Sequence, residues 1–355
     1  MPSGWTRHLE LIAELARLPQ SLRGGPGYVG ERSDHFDGRK FFNPGASAGR
    51  SFGDFLRWQR RRLSAPWPRW RQYPSVQALP AFANGELALT FINHATFLIR
   101  LAGLNVLTDP VYCNRASPVQ WAGPCRVHAP GLRFEQLPSI DLVFVSHNHY
   151  DHMDLVTLKR LASVHAPLFL TGLGNSAFLR QQGIAPVVEL DWWEQTSLRG
   201  VQLTFTPAQH WSSRGLGRKN HTLWGGLWLA SAQHRIYFAC DTGYSPWFEE
   251  LHRRYGPPEL AVLPIGGYEP RWFMREQHLN PDDAVRAHRA LSAQVSVAMH
   301  FGCFRLTDEG IDEPVIELER ACRAHGIAPE AFHVPRPGET LLWRAATPSD
   351  AAARS

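Results

Sequence analysis

Short apolar runs follow one another closely from Glu86 onward, and their length and spacing predict β-strands. The first three runs, LALTFI, TFLIRL and LNVLT, come in quick succession. Later strands are expected at Asp141–Ser146, Pro167–Leu170, Val201–Phe205, Thr222–Ala230, Arg235–Ala239, Leu260–Pro264 and Val295–Met299, and helices at about Asp154–His165, Pro246–Tyr255, Pro281–Ser292 and Glu313–Gly326. Strands that come first, and then alternate with helices, predict an α/β protein with layered sheets.

The chain before Glu86 has a different pattern. Thr6–Leu18 predicts a short amphipathic helix, and Gly- and Pro-rich turns and the basic aromatic run Arg57–Pro74 follow it. We interpret residues 1–85 as an irregular N-terminal extension that wraps the core, residues 86–345 as the main domain, and residues 346–355 as a disordered tail. The alternative interpretation of the basic aromatic run is a surface that binds membrane or phosphate.

Composition excludes several classes of protein. The 355 residues are 44% hydrophobic and 19% charged, which excludes a globally disordered chain and a coiled coil. No uncharged apolar stretch reaches about 18 residues, and the N-terminal residues interleave charges with leucines, so we expect neither a spanning helix nor a cleaved secretory signal. Five scattered cysteines predict no disulfide framework, and the expected location is the cytoplasm, with peripheral membrane association left open.

The basic residues are almost all arginine. Net charge is +5, and of the 37 Lys and Arg residues only Lys40, Lys159 and Lys219 are lysine. Arginine forks bind phosphate bidentately, so an anionic substrate or membrane surface is one explanation. A general bias of the sequence toward arginine explains the same count equally well.

The densest group of polar side chains comes directly after an apolar strand. DLVFVS continues into HNHYDH, which places His147, His149, Asp151 and His152 within six residues. Side chains alternate in an extended segment, so the first three share one side, and His152 joins them if the chain bends into the helix that follows. Imidazole nitrogens and carboxylate oxygens at this density predict ligands for zinc-like ions.

Three later candidates also follow β-like segments. His210 follows VQLTFTPAQ, Asp241 follows RIYFAC, and His300 follows VSVAM. An α/β scaffold places its chemistry in the loops at strand ends. We therefore expect these three side chains to join the HNHYDH residues at one metal centre.

The order HxHxDH, then a histidine, an aspartate and a final histidine resembles the metallo-β-lactamase superfamily. Within it, the chain resembles the N-acylphosphatidylethanolamine-hydrolysing phospholipase D family over about Leu87–Gly338. The strings that carry the resemblance are TDPVYCNRASP, LPSIDLVFVSHNHYDHMD, ELDWWE, TPAQHW, FACDTGYSPWFEE, PIGGYEPRWFM, QHLNPDDA and AMHFGCF.

This resemblance implies an αββα sandwich, two facing sheets with helices outside, and a pair of zinc ions, although iron, manganese or cobalt fit similar sites. It assigns His147, His149 and His210 to the first ion, Asp151, His152 and His300 to the second, and Asp241 to a bridge between them. The implied activity is phospholipase D-type hydrolysis of N-acylphosphatidylethanolamine by a metal-bridging hydroxide. The products would be an N-acylethanolamine and phosphatidic acid.

Three further residues are candidates for contact with substrate. His278 in QHLNP is the candidate proton donor and counts with Asp151 and Asp241 as catalytic. His94 in INHAT is expected to act through hydrogen bonds to the ligands rather than directly, and Asn93 stands before it where the common pattern has glycine. Tyr150 is a candidate donor to a substrate oxygen, with a packed aromatic ring as the alternative.

Other functions stay open at this point. A metal-dependent hydrolase of a soluble phosphodiester, a lactone or a β-lactam has the same motifs, because a fold does not fix its substrate. A metal-binding protein without catalysis is the third alternative. We expect a phospholipid or other phosphodiester as substrate and no nucleic acid, and we leave a homodimer open.

Overall fold

The computed structural model describes residues 24–45, 52–62, 65–74, 78–81, 85–215 and 218–344. The helix expected at Thr6–Leu18 and the tail expected at 346–355 lie outside the described residues. Within the described part of the chain, no helix has the length and apolar character that a membrane crossing requires.

Two mixed β-sheets face each other, each with seven strands in the described residues. The strands of the first are β1 (Glu86–Asn93), β2 (Thr96–Leu101), β3 (Leu104–Thr108), β4 (Leu142–Val145), β5 (Leu168–Gly172), β6 (Val187–Leu190) and, at its edge, β14 (Thr340–Arg344), in the order β14-β1-β2-β3-β4-β5-β6. The strands of the second are β7 (Gln195–Leu198), β8 (Val201–Thr206), β9 (Gly226–Ala230), β10 (Arg235–Phe238), β11 (Leu260–Pro264), β12 (Val295–Met299) and β13 (Phe332–His333), in the order β13-β12-β11-β10-β9-β8-β7.

Aromatic side chains from both sheets fill the space between them. The ring of Phe144 on β4 lies 6.1 Å from that of Phe205 on β8 and 6.0 Å from that of Phe238 on β10. Phe97 on β2 also meets Phe238, at 6.5 Å between ring centroids. All four side chains are buried, so the inner faces of the two sheets form one apolar core.

Helices cover the outer faces of both sheets. The described helices are α1 (Phe52–Arg61), α2 (Leu155–His165), α3 (Ser176–Gln181), α4 (Trp247–Tyr255), α5 (Arg271–Met274), α6 (Pro281–Leu291) and α7 (Glu313–His325), with 3-10 turns at Phe134–Gln136 and Pro329–Ala331. Leu158 of α2 and Phe178 of α3 pack with Val143 of β4 on the outer face of the first sheet. Helices α4, α6 and α7 pack at the second sheet, so the layers are α, β, β, α, and the predicted α/β sandwich is confirmed.

The segment before β1 is less irregular than the sequence indicated. The basic aromatic run contains the end of α1, whose Trp58 packs its ring 5.2 Å from that of Phe273. The Trp58 indole Nε1 donates to Asp308 at 2.7 Å, and Arg62 donates to the same carboxylate at 2.9 Å. Because these partners come from distant parts of the chain, local sequence alone did not indicate the helix.

Residues 24–45 also contact the main body of the protein. The Tyr28 backbone N–H donates to His221 O at 2.8 Å, and Asn43 Nδ2 donates to His210 O at 2.8 Å. His35 Nε2 lies 2.7 Å from Asp191 Oδ1. These contacts agree with an extension that lies on the core, although the domain limits themselves stay a prediction.

Candidate metal centre

Loops at one edge of the sandwich bring the seven predicted ligands together. The HNHYDH residues follow β4 of the first sheet, whereas His210, Asp241 and His300 follow β8, β10 and β12 of the second. The centre therefore lies where the two sheets meet, and each sheet supplies part of it.

Three imidazoles form what we call the first donor group: His147, His149 and His210. His147 Nε2 lies 2.9 Å from His149 Nδ1, and His210 Nε2 lies 3.3 Å from the same atom. One nitrogen from each ring thus lies within 4.8 Å of the other two, so the three rings could serve as ligands of one ion.

Two imidazoles and a carboxylate form the second donor group: Asp151, His152 and His300. The Nε2 atoms of His152 and His300 lie 3.4 and 3.5 Å from Asp151 Oδ2. Asp241 Oδ2 lies 3.2 Å from His152, 3.1 Å from His300 and 3.8 Å from His210. Asp241 therefore lies between the two donor groups.

The donor set fits divalent cations. Asp241 Oδ1 is buried and has no hydrogen-bond partner among the described residues. A buried carboxylate oxygen without a partner is unfavourable unless a cation or a donor satisfies it. Nitrogen and oxygen ligands suit zinc and similar ions. The first donor group could hold one ion and the second another, with Asp241 shared.

Hydrogen bonds behind the ligands fix which ring nitrogen faces the centre. Asp109 Oδ2 lies 2.8 Å from His152 Nδ1 and 2.7 Å from Ser146 Oγ, and that hydroxyl lies 2.9 Å from His147 Nδ1. Because the carboxylate can only accept, both Nδ1 atoms carry a proton in this chain of bonds, and Nε2 of each ring is the atom that faces the centre. His210 donates likewise from Nδ1 to Gln277 O at 2.9 Å.

Asp109 and Ser146 have this role although the sequence did not single them out. The feature that could have indicated Asp109 is its position directly after the apolar run LNVLT, because it is another acidic residue at a strand end. Asp109 is fully buried and its φ is 34°, a left-handed conformation that few non-glycine residues adopt.

The charges at the centre favour ionised carboxylates and, in the first donor group, neutral imidazoles. In the second donor group burial is outweighed by the nearby carboxylates, which raise the pKa of His152 and raise that of His300 to about 9. Burial alone would raise the pKa of Asp241, but His300 and His152 beside it hold that pKa well below its usual range. Burial lowers the pKa of His149 to about 4 and that of His210 to about 3. The ionised carboxylates and the neutral imidazoles of the first donor group are in the protonation states that bind metal, whereas His152 and His300 would release a proton on binding one.

The three candidates for substrate contact lie in different places. His278 lines the cavity beside the centre, with Nδ1 4.0 Å from Asp241 Oδ2. His94 is buried, with Nε2 3.2 Å from Asp151 Oδ2 and its ring 4.1 Å from that of His300, so it belongs with the second donor group. Tyr150 is not brought to that cavity: Arg214 stacks on its ring at 4.3 Å, and its hydroxyl accepts from Gly215 N.

A cavity of about 430 Å³ opens beside the centre. Asp151, Asp241, His149, His278 and His300 line its polar end. The remaining wall is largely apolar and consists of Phe55, Trp58, Trp211, Phe273, Met274 and Leu306, with Lys219, Gln277 and Thr307. Gly267, also at this wall, has a φ of 81°, and a Cβ there would lie 3.2 Å from His278 Nδ1. Sequence patterns alone did not predict that a helix before β1 would form part of this wall.

Comparison with known proteins shows a matching domain family and similar chains, of which three are described. Residues 104–301 match the family described as Beta-lactamase superfamily domain. The chain is 38% identical over 249 residues to N-acyl-phosphatidylethanolamine-hydrolyzing phospholipase D 1 of Caenorhabditis elegans, covering 67% of this chain and 70% of that one. It is 32% identical to the mitochondrial protein of that name from Saccharomyces cerevisiae, covering 67% of this chain and 52% of the yeast protein. A metallo hydrolase of Ignicoccus hospitalis, 21% identical, superposes with a TM-score of 0.56 over 74% of this chain and 100% of the other, which shows a shared fold.

Proposed function

Because this chain belongs to the metallo-β-lactamase superfamily, in its N-acylphosphatidylethanolamine-hydrolysing phospholipase D-like subgroup, we propose that it cleaves N-acylphosphatidylethanolamine to an N-acylethanolamine and phosphatidic acid. The broader description, a metal-dependent hydrolase of the metallo-β-lactamase fold, holds whichever ester is cleaved. Two relatives named for this lipid support the narrower proposal.

The shape and polarity of the cavity carry the proposal. Its polar end holds Asp241 and the histidines, and its wall includes Phe55, Phe273 and Leu306. A phospholipid has the same division, since its phosphodiester is charged and its acyl chains are apolar. Burying apolar chain against apolar wall contributes roughly 25 cal/mol per Å², so such a wall favours a lipid over a small polar ester.

The proposed ligand assignment places one ion at the first donor group and one at the second, with Asp241 shared, and zinc is the proposed metal. When bound, such cations supply a Lewis acid for phosphoryl oxygens and lower the pKa of water so that it can act as nucleophile. The protein orients these ligands through Asp109, Ser146 and the Gln277 carbonyl.

His278 is the proposed donor to the leaving oxygen of the ester. Its Nδ1 has no hydrogen-bond partner among the described residues, and the ring lines the cavity. A neutral imidazole carries one N–H, which it can donate in a hydrogen bond to the leaving oxygen as that oxygen gains negative charge. Asp151 and Asp241 remain negatively charged beside it and act as orienting carboxylates.

Peripheral contact with a membrane forms part of the proposal. On α1 and α5, Phe55, Leu56 and Trp272 are each about two fifths exposed (39%, 40% and 41%). Phe55 also lines the cavity, and α1 ends with Arg60 and Arg61. Exposed apolar side chains beside arginines suit the interface of a bilayer that contains anionic lipid.

The test is hydrolysis of N-acylphosphatidylethanolamine in vesicles by the purified, metal-loaded enzyme, with both products followed by mass spectrometry. We expect turnover that stops when a chelator is added. Asp241→Asn should reduce kcat by at least roughly 100-fold because the shared ligand loses a charge, whereas Asp282→Asn, a change of the same kind on α6, should have no effect. Turnover of a lactone, a β-lactam or a soluble phosphodiester, with none of the lipid, would refute the substrate assignment.

A further inference from the structure

Lys219 lines the same cavity as the candidate metal centre. Its Nζ lies 4.9 Å from the centroid of the Trp211 ring, within the range of a cation–π contact. The Trp211 ring also contacts the candidate centre, since its centroid lies 4.4 Å from that of the His149 ring. One indole therefore separates this ammonium from the first donor group.

The charge of Lys219 is not neutralised by a nearby acid. The side chain is half-buried, and among the described residues no carboxylate oxygen lies within 4.0 Å of its Nζ. Burial lowers the pKa of Lys219, and the positive charge of Lys40 lowers it further. A partly desolvated ammonium next to another cation is unfavourable in the free protein, and an anion bound there would relieve it.

Lysine is rare in this chain, so a lysine in the cavity stands out among the many arginines. Lys40 and Lys219 are two of its three lysines, and they lie close enough to affect each other electrostatically. The third, Lys159, is exposed on α2 and donates to Gln182 Oε1 at 3.0 Å. Lysine binds phosphate as a compact point charge, so Lys219 needs no bidentate geometry to hold one phosphoryl oxygen.

We propose that Lys219 is a specificity-determining residue of the cavity, whose ammonium binds a phosphoryl oxyanion. That oxyanion is the phosphodiester of the substrate or the phosphomonoester of the product. The choice between these two ligands rests on the proposed function, whereas the binding of a phosphate-type anion at Lys219 does not.

Isothermal titration calorimetry of the metal-loaded, full-length protein tests the proposal. The probes are dimethyl phosphate, which represents the diester, and methyl phosphate, which represents the monoester. Lys219→Met removes the charge and keeps the apolar stem over Trp211, and Lys159→Met removes the same charge elsewhere. We expect Lys219→Met to weaken binding of at least one probe roughly ten-fold, as the loss of one charge-assisted hydrogen bond predicts, and Lys159→Met to leave both affinities unchanged.

The two probes and the enzyme assay separate the outcomes. Weaker binding of dimethyl phosphate, with a raised KM and an unchanged kcat for the lipid, assigns Lys219 to the substrate. Weaker binding of methyl phosphate alone, with reduced product inhibition, assigns it to the product. Lys219→Arg should retain most of the affinity, which keeps the test valid if the methionine variant folds poorly.

Failure of this inference can be told from failure of the proposed function. Equal affinities of Lys219→Met and the unchanged protein for both probes would overturn the role of Lys219, even if the lipid is cleaved. An unchanged protein that cleaves no lipid, together with weaker anion binding in Lys219→Met, would overturn the lipid assignment and leave the anion site in place.

Discussion

The positions of two candidate ligands depend on one buried carboxylate, Asp109. It accepts from the Ser146 backbone N–H, the Ser146 hydroxyl and His152 Nδ1, at 2.7, 2.7 and 2.8 Å. Its two oxygens can accept all three bonds, but an asparagine amide offers one oxygen only. Neither Ser146 nor Asp109 would touch a metal, yet both decide how His147 and His152 face it.

We expect Asp109→Asn to weaken metal binding roughly 10- to 100-fold, because residues that orient metal ligands typically contribute that much. Competition against a fluorescent chelator measures the affinity. Asp141→Asn is the control, since Asp141 accepts from Asn105 N at 2.9 Å away from the centre. Equal affinities of the Asp109 variant and the unchanged protein would contradict the orienting role.

A buried arginine holds the HNHYDH loop from the other side. Arg214 donates from Nη1 to the carbonyls of Asn148 at 3.1 Å and Met153 at 2.8 Å, which flank His149 and His152. Burial lowers its pKa to about 10, so it stays charged at neutral pH. The Arg214 guanidinium thus links two points of the HNHYDH loop through hydrogen bonds.

Arg214→Met should lower metal affinity about ten-fold, because the loop loses two anchoring bonds and its ligands reorient. Arg126 is a matched control, since it is also buried and also donates to carbonyls, those of Val111 and Cys113. Both variants should unfold at lower urea concentration, but only Arg214→Met should release metal more readily to a chelator. The same metal affinity in both variants would show that Arg214 serves stability alone.

The sequence indicated the residues of the donor groups better than the residues that orient them. Three histidines and an aspartate within HNHYDH form a pattern, and the later candidates each follow an apolar strand. The structure brings all seven into one cluster, and their roles as ligands stay a prediction. Asp109 follows an apolar strand too, but Arg214 and Lys219 are single residues without such a pattern, and only tertiary contacts distinguish them.

At the scale of elements, residues 24–45 are attached through an ionisable contact. His35 is buried, with Nε2 2.7 Å from Asp191 and Nδ1 2.6 Å from Asp34, and its ring stacks on Trp192 at 4.5 Å. Burial alone would lower the pKa of His35, but Asp191 and Asp34 outweigh it and raise that pKa above its ordinary value. The contact is therefore strongest when His35 carries a proton.

Because the pKa of His35 is raised in the folded state, its contribution to the free energy of unfolding is complete below the unfolded pKa of about 6.5. That contribution is lost as pH rises through the folded pKa. We expect the free energy of unfolding to fall from pH 6 to pH 8.5, and His35→Gln to remove part of that dependence. Urea unfolding at both pH values measures it. An identical pH dependence in the variant would contradict the assignment.

Edge strands and contact-dependent helices were the elements that sequence patterns missed. β7 reads QTSL and alternates exposed with half-buried positions at the edge of its sheet, so it lacks an apolar run. β13 has two residues, and the run expected from Thr222 becomes a strand only at Gly226. Central strands such as β4 and β11 are buried throughout, and their continuous apolar runs made them predictable.

At the scale of the whole molecule, the candidate centre joins the two sheets. His147 follows a strand of the first sheet, and Asp241 and His300 follow strands of the second. The αββα arrangement could be predicted from the order of runs and from the resemblance. The packing of α1 against the cavity could not, because it depends on contacts such as that of Trp58 with Phe273.

Metal removal should therefore destabilise the entire fold. A ligand that binds only the native state, at a concentration of 100 times its Kd, adds about 2.7 kcal/mol to the free energy of unfolding. Removal of the metal by a chelator should therefore lower Tm by several degrees. Differential scanning calorimetry measures the shift, and Asp141→Asn should show it undiminished. A Tm that does not respond to the chelator would contradict a cation shared between the two sheets.

The cavity combines residues from before and after β1. The candidate metal ligands at its polar end come after β1, while Phe55 and Trp58 in its wall belong to α1, before β1. Substitution of these two side chains alone would therefore change the wall of the cavity and leave every residue of the two donor groups as it is. Helix α1 is thus a place where protein engineering can alter what the cavity admits separately from the candidate metal ligands.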